Sequence, residues 1–110
     1  RKKAHFSNLY YGASIKALWV LAEKKGYTFI GCTSAGNDAF FVKKEYSTPF
    51  KSMTPTEGYV LSTFRESRDE SGKLSYVSGE NRISLINEME VYDVISGSIK
   101  KIKDYEDINI

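Results

Sequence analysis

The sequence predicts an α+β chain: one amphipathic helix, then a buried β-hairpin, then a second helix and a second hairpin as a C-terminal extension. Three observations predict it. From Tyr11 to Lys25 the residues Tyr11, Ile15, Leu18, Leu21 and Ala22 recur at three- and four-residue steps, the period of one helix face. Two apolar runs follow, "YTFIGC" and "AFFVKK", separated by the small polar stretch Thr33, Ser34, Ala35, Gly36, Asn37 and Asp38. Further on, "EVYDVI" and "IKKIK" flank the turn-forming residues Ser96 and Gly97.

The first helix is "GASIKALWVLAEKKG". Gly12 and Ser14 suit its N-terminal end, Lys24 and Lys25 complement its negative C-terminal end, and Gly26 supplies the left-handed residue that stops a helix. Trp19 lies off the main apolar stripe, either as the anchor of a contact with another domain or partner or as the margin of the core. "YTFIGC" is apolar on both faces, like a strand buried on both sides. The first helix covers only one of those faces, so the other face and the strand edge need a further cover, from a longer parent protein, from the C-terminal elements of this chain or, favoured over those short elements, from a second copy. "AFFVKK" reads as its partner, turning polar at Lys43 and Lys44. After a loop with Pro49, Thr54, Pro55 and Glu57 form a capping-box signature, and the helix they start carries Val60, Leu61 and Phe64 on one face. Arg65, Glu66, Arg68, Asp69 and Glu70 follow as a mixed charge run. "KLSYV" reads as a strand, "NRISLIN" as a short helix or irregular turn, and "YEDINI" as a fraying end.

A chain of 110 residues supports one core, so a single domain is expected, with residues 10–44 as the helix–strand–strand segment and 54–105 as the extension. The net charge of +2, with Lys and Arg scattered among carboxylates, argues against a dedicated nucleic-acid binder. A single cysteine, Cys32, allows no internal disulfide and fits a reducing compartment. With one histidine besides, His5, no zinc set of Cys and His assembles, and no metal site is expected. No apolar run approaches the ~20 residues that span a bilayer, so the expected location is the cytoplasm, away from the membrane. The chain begins at Arg1 without an initiator Met, and "RKK" reads as a linker or interior segment of a longer protein.

"YYGASIKALWVLAEKKGYTFIGCTSAGNDAFFV" resembles the closing segment of FkbM-like, S-adenosylmethionine-dependent methyltransferases of bacteria, which end in a similar "YFGAS", a helix, "KKGY", a "GCNSAG" loop and "NAFFV". The resemblance covers residues 10–42, and "FRESRDESGKLSYVSG" and "VYDVISG" are similar to the tails that follow. It implies that the first hairpin closes a Rossmann-like α/β sheet. Such an enzyme binds its cofactor at a Gly-rich turn after its first strand and holds the ribose with an acidic residue ending the second. This sequence has no G-x-G, and its elements start too late. The resemblance therefore implies a C-terminal region with no catalytic residues and no cofactor of its own, S-adenosylmethionine being expected only for an intact parent.

In a parent sheet of this kind ligands bind outside the carboxyl ends of the parallel strands, which places residues 33–38 on the ligand side. A helix of about 15 residues spans ~22 Å and a six-residue strand ~20 Å, so the N-terminal end of the helix returns to the same level. The expected substrate-side rim is Tyr10, Tyr11, Ser14, Thr33, Ser34, Asn37 and Asp38. The competing reading is that Gly36, Asn37 and Asp38 are turn chemistry and the tyrosines pack. Cys32 with His5 as nucleophile and base would require both to leave an apolar strand and a chain terminus. Glu66, Asp69 and Glu70 fit a solvated, salt-linked helix end better than an acid/base pair. Lys100, Lys101 and Lys103 with Tyr105 resemble a small anion-binding face, but lysines on a hairpin also serve to keep an edge strand soluble. Three functions follow: the non-catalytic C-terminal region of a methyltransferase-like protein; a stand-alone α+β interaction module, which binds through its hairpin edge or aromatic surface; and a small nucleic-acid binder using Tyr and Lys, disfavoured by the balanced charge. The expected partners are a missing N-terminal domain or a second copy, through a two-fold interface centred on residues 27–42 and Trp19.

Overall fold

The computed structural model describes residues 3–63 and 66–105. Its elements are α1 (Ile15–Lys25), β1 (Tyr27–Cys32), β2 (Ala39–Lys43), α2 (Pro55–Gly58), α3 (Glu80–Ile86), β3 (Glu90–Asp93) and β4 (Ser98–Lys101). Helices with two separate antiparallel hairpins, β1–β2 and β3–β4, make an α+β chain, as the periodicities predict. The chain divides into two compact units, residues 13–64 and residues 1–12 with 65–110. That division cuts across the segments expected from sequence. Residues 54–63 belong with the first helix and hairpin, and residues 3–12 join the C-terminal extension.

In the unit 13–64, α1 starts and stops as its sequence dictates. The Ser14 hydroxyl accepts from the Ala17 N–H at 3.1 Å, and Gly26, at φ 79°, donates back to the Ala22 and Glu23 carbonyls. The packed face differs from the expected stripe, however, taking in Trp19 and leaving out Leu21 and Tyr11. Ala22 is buried and Ile15, Leu18 and Trp19 are half-buried, but Leu21 is 48% exposed and Tyr11 lies outside the helix. At 3.6 residues per turn Leu21 sits roughly 60° around the axis from Leu18, beyond the stripe that Ile15, Leu18, Trp19 and Ala22 share.

α1 packs on β1, which pairs with β2 through Tyr27↔Lys43, Thr28↔Val42 and Phe29↔Phe41, and after a bulge through Gly31↔Phe40 and Cys32↔Ala39. Thr28 and Phe29 project to opposite faces and both are buried, Phe29 to 1% exposure, whereas no residue of β2 is fully buried and Phe40 is 51% exposed. The chain itself supplies much of the cover that β1 needs. A Cβ at Gly58 would meet the Phe29 ring, 2.8 Å from Cζ, so the last residue of α2 lies directly against that ring. The Met53 N–H donates to the Phe29 carbonyl at 2.9 Å, on the β1 edge away from β2.

The capping box at α2 forms as predicted, with Glu57 N donating to the Thr54 hydroxyl at 3.3 Å and Thr54 N to the Glu57 carboxylate at 3.2 Å. The helix stops after Gly58 and does not reach Val60 and Leu61. Tyr59 turns extended, at φ −68° and ψ 133°, and residues 60–63 run alongside the loop 33–38. Phe64 and Arg65, the end of the expected helix and the start of the charge run, lie outside the described residues.

In the other unit, Leu9, Ile86 and Ile102 form a buried cluster with Tyr10, Ile83, Met89 and Val91 packed against it. "NRISLIN" is helical as α3, and β3–β4 pair from Glu90↔Lys101 to Asp93↔Ser98 across the expected turn. "KLSYV" is not a strand; among the described residues its ladder contact is a single isolated bridge, Arg68↔Leu74. The fully buried Ser67 takes over the backbone there. Its carbonyl accepts from Ser75 N and its hydroxyl from Val77 N, both at 2.9 Å, and Tyr76 between them adopts φ 51°. Arg1, Lys2 and residues 106–110, and so most of "RKK" and "YEDINI", are outside the described residues.

Candidate functional site

Residues 33–38 form the connection of the first hairpin. Thr33 N donates to the Asp38 carbonyl at 3.0 Å, closing the loop, and Gly36 N donates to the Thr33 carbonyl at 2.9 Å, folding a β-turn inside it. Gly36 adopts φ 73°, and a Cβ there would lie 2.5 Å from the Val60 carbonyl oxygen and 2.6 Å from that of Leu61. The Ala35 carbonyl accepts from Thr63 N at 2.9 Å and from the Thr63 hydroxyl at 3.3 Å. The segment 60–63 therefore clamps the tip of the loop by its backbone. The Thr33 hydroxyl donates to Asn37 Oδ1 at 3.3 Å, while Ser34, Asn37 and Asp38 are exposed.

Of the expected rim, Ser14, Thr33, Ser34, Asn37 and Asp38 lie in this unit. α1 joins β1 through Gly26 alone and packs on it, so helix and strand run in opposite directions. Eleven helical residues rise ~16 Å against ~20 Å for the strand, which sets Ser14 toward the end of β1 where the loop begins. The Ser14 hydroxyl is engaged as the helix cap. Tyr10 and Tyr11 belong to the other unit, where the Tyr10 hydroxyl donates to the Glu90 carbonyl and the Tyr11 side chain is half-exposed.

The remaining sequence candidates have structural employment. Cys32 is half-buried at the end of β1. His5 stacks on Phe6, with ring centroids 4.5 Å apart, and its Nδ1 accepts from Ser7 N at 3.3 Å, which leaves the ring proton of the neutral form on Nε2. Ser7 lies 2.8 Å from Nδ1 and accepts from Leu9 N, so that fully buried hydroxyl serves the turn. The run Glu66 to Glu70 is a loop and not a helix end. Asp69 Oδ1 accepts from Ser71 Oγ, Ser71 N and Lys73 N at 2.7, 2.9 and 3.0 Å, and the Ser71 hydroxyl and Lys73 amide hold its carboxyl below the usual range. Arg68 pairs with Glu66 at 3.6 Å. The lysines of the second hairpin are each matched to a carboxylate: Lys100 to Asp93 at 3.2 Å, and Lys101 and Lys103 to Glu88 at 3.0 and 2.6 Å. Those two ammonium groups, Lys103 first, lower the Glu88 carboxyl.

One feature has no sequence-stretch of its own to announce it: a cavity of about 350 Å³ lined by Phe6, Asn8 and residues 68–72. Asn8 adopts φ 63°, and among the described residues its Oδ1 is buried without a hydrogen-bond partner. The signal was faint, a lone Asn tolerating the left-handed region, and its partners lie sixty residues downstream. Among the described residues no group of three or more His, Cys, Asp or Glu is arranged to hold a metal, and no helix is long and apolar enough to cross a membrane. No family model matches the chain, and neither curated proteins nor solved structures contain a significant match.

Proposed function

We propose that the chain is the non-catalytic C-terminal region of a bacterial, cytoplasmic, methyltransferase-like protein, contributing a substrate-side loop and the last strands of a sheet. One observation carries the reading: the loop 33–38 is fixed by its backbone yet presents Ser34, Asn37 and Asp38 outward at the carboxyl end of β1. A group that orients a substrate must be held in place and stay reachable, and hydroxyl, amide and carboxylate groups suit orientation better than bond-breaking. The resemblance of residues 10–42 to FkbM-like enzymes implies the reaction of the intact parent, methyl transfer from S-adenosylmethionine. In calorimetric titration the 110-residue chain is expected to give no heat with S-adenosylmethionine, while a longer protein that carries it shows saturable binding. A one-to-one isotherm from the short chain overturns the proposal.

A second reading, a protein-interaction module acting through a strand edge, is favoured by β2. Among the described residues its edge away from β1 carries no paired strand.

A further inference from the structure

The hydrogen-bond register of the first hairpin fixes which backbone groups β2 turns outward. Lys44 N donates to the Gly26 carbonyl and Thr33 N to the Asp38 carbonyl, so Tyr27↔Lys43 and Cys32↔Ala39 are both non-hydrogen-bonded pairs. The Phe29 carbonyl is taken by Met53, on the side away from β2, which makes Phe29↔Phe41 a pair of the same kind. The N–H and C=O groups of Ala39, Phe41 and Lys43 therefore all point away from β1.

From this register we infer that β2 pairs antiparallel with β2 of a second copy of this chain, about a two-fold axis at Phe41. The inference rests on the interaction reading and not on the methyltransferase one. In this register the two Phe41 residues exchange both backbone bonds, and Ala39 of each copy exchanges both with Lys43 of the other. On one face Phe40, which is half-exposed, lies opposite Val42 of the second copy, an aromatic against β-branched pair of the kind that stabilises sheets. On the same face Asp38 lies opposite Lys44, so each end of the ladder sets a carboxylate against an ammonium group. Lys44 also pairs with Glu23 of its own chain at 3.2 Å, and the second carboxylate joins that exposed pair.

Lysine on an edge strand normally prevents such pairing by setting like charges together. Here the two-fold register places Lys43 opposite Ala39 and Lys44 opposite Asp38, so neither lysine meets its own copy. A single strand per chain buries less than the ~1,200 Å² of a standard interface, so association is expected in the micromolar range or weaker and not at nanomolar concentration.

The test combines light scattering with amide hydrogen exchange on the 110-residue chain, from about 1 µM to several hundred micromolar, around the affinity just argued. The expected result is a mass rising toward twice 12.5 kDa. The amides of Ala39, Phe41 and Lys43 should be fast at low concentration and slow at high, while those of Val42 and Lys44 are protected throughout. Phe40→Lys, at an exposed site, should keep the far-ultraviolet spectrum and hold the chain monomeric. A monomer at every concentration with the three outward amides fast overturns the self-pairing and leaves the edge to a different partner. A monomer in which those amides are already slow overturns the interaction reading as well. A dimer without added protection at those three amides overturns the proposed register.

Discussion

The two hairpins differ in what closes them. The β3–β4 turn is closed by its own residues: Asp93 Oδ1 accepts from Ile95 N at 2.9 Å and Ser96 N at 3.2 Å, and Gly97 N donates to the Asp93 carbonyl at 2.8 Å. The β1–β2 loop closes its base with Thr33 and Asp38, but its tip is held by residues more than twenty positions away, through Thr63 to Ala35 and the backbone of Val60 and Leu61 against Gly36. Both stretches read in sequence as small polar residues between apolar runs. One is a local device and the other is half of a tertiary contact, so only the second can fix a surface loop relative to the core of its own unit.

The largest effect should come from the glycines that the two loops share. Gly36→Ala combines left-handed strain of ~1–2 kcal/mol with overpacking of ~1–3 kcal/mol, because its Cβ would press on the Val60 and Leu61 carbonyls. Gly97→Ala meets nothing closer than the Tyr92 hydroxyl at 3.7 Å, so it should cost only the strain, ~1–2 kcal/mol. Urea unfolding of the two variants measures the difference, and equal losses would erase the distinction between the loops.

A smaller, pH-dependent effect belongs to the second hairpin. The Ser96 and Ile95 amides, with the Lys100 ammonium group, hold the Asp93 carboxyl well below the usual carboxylate range. A carboxyl depressed on folding adds stability that is fully present above its unfolded pKa and is lost as pH falls through the folded one. Acidification below about pH 4 should therefore weaken this hairpin. Asp93→Asn, which keeps an acceptor oxygen without the charge, should flatten that acid limb and lower stability at neutral pH. Melting curves from pH 2 to 7 provide the check; a parallel acid limb in both proteins would show that other carboxylates dominate.

The smallest change in stability is expected at the exposed tip of the first loop. Asn37→Ala loses one 3.3 Å bond from Thr33, and Asp38→Ala removes a carboxylate that makes no hydrogen bond or ion pair among the described residues. Each should move stability by less than ~0.5 kcal/mol, as surface substitutions usually do. In a longer active protein both should nonetheless slow turnover. Normal turnover, or a large fall in melting temperature, would return these residues to plain turn chemistry.

Several elements were legible because their determinants are local. Ser14 and Gly26 bound α1, Thr54 and Glu57 cap α2, and Ser96-Gly97 turns the second hairpin, each through contacts within a few residues. The expected strand at "KLSYV" failed because the buried Ser67, eight and ten positions before the amides it binds, captured its backbone, and the expected helix through Val60 and Leu61 failed because the first loop needed that segment extended. The Asn8 cavity was invisible for the same reason, its lining being brought together from segments some sixty residues apart.

The sequence by itself determined the α+β class, the caps and turns, and β1 as the strand whose residues are buried on both faces, since periodicity and cap chemistry act over three or four residues. Only the tertiary structure decided that Gly58 and Met53 cover β1, that residues 60–63 clamp the loop, and that the outer edge of β2 presents Ala39, Phe41 and Lys43. Backbone hydrogen bonds and steric fits between distant segments leave no periodic mark on the residues that make them, because any residue type carries the same N–H and C=O.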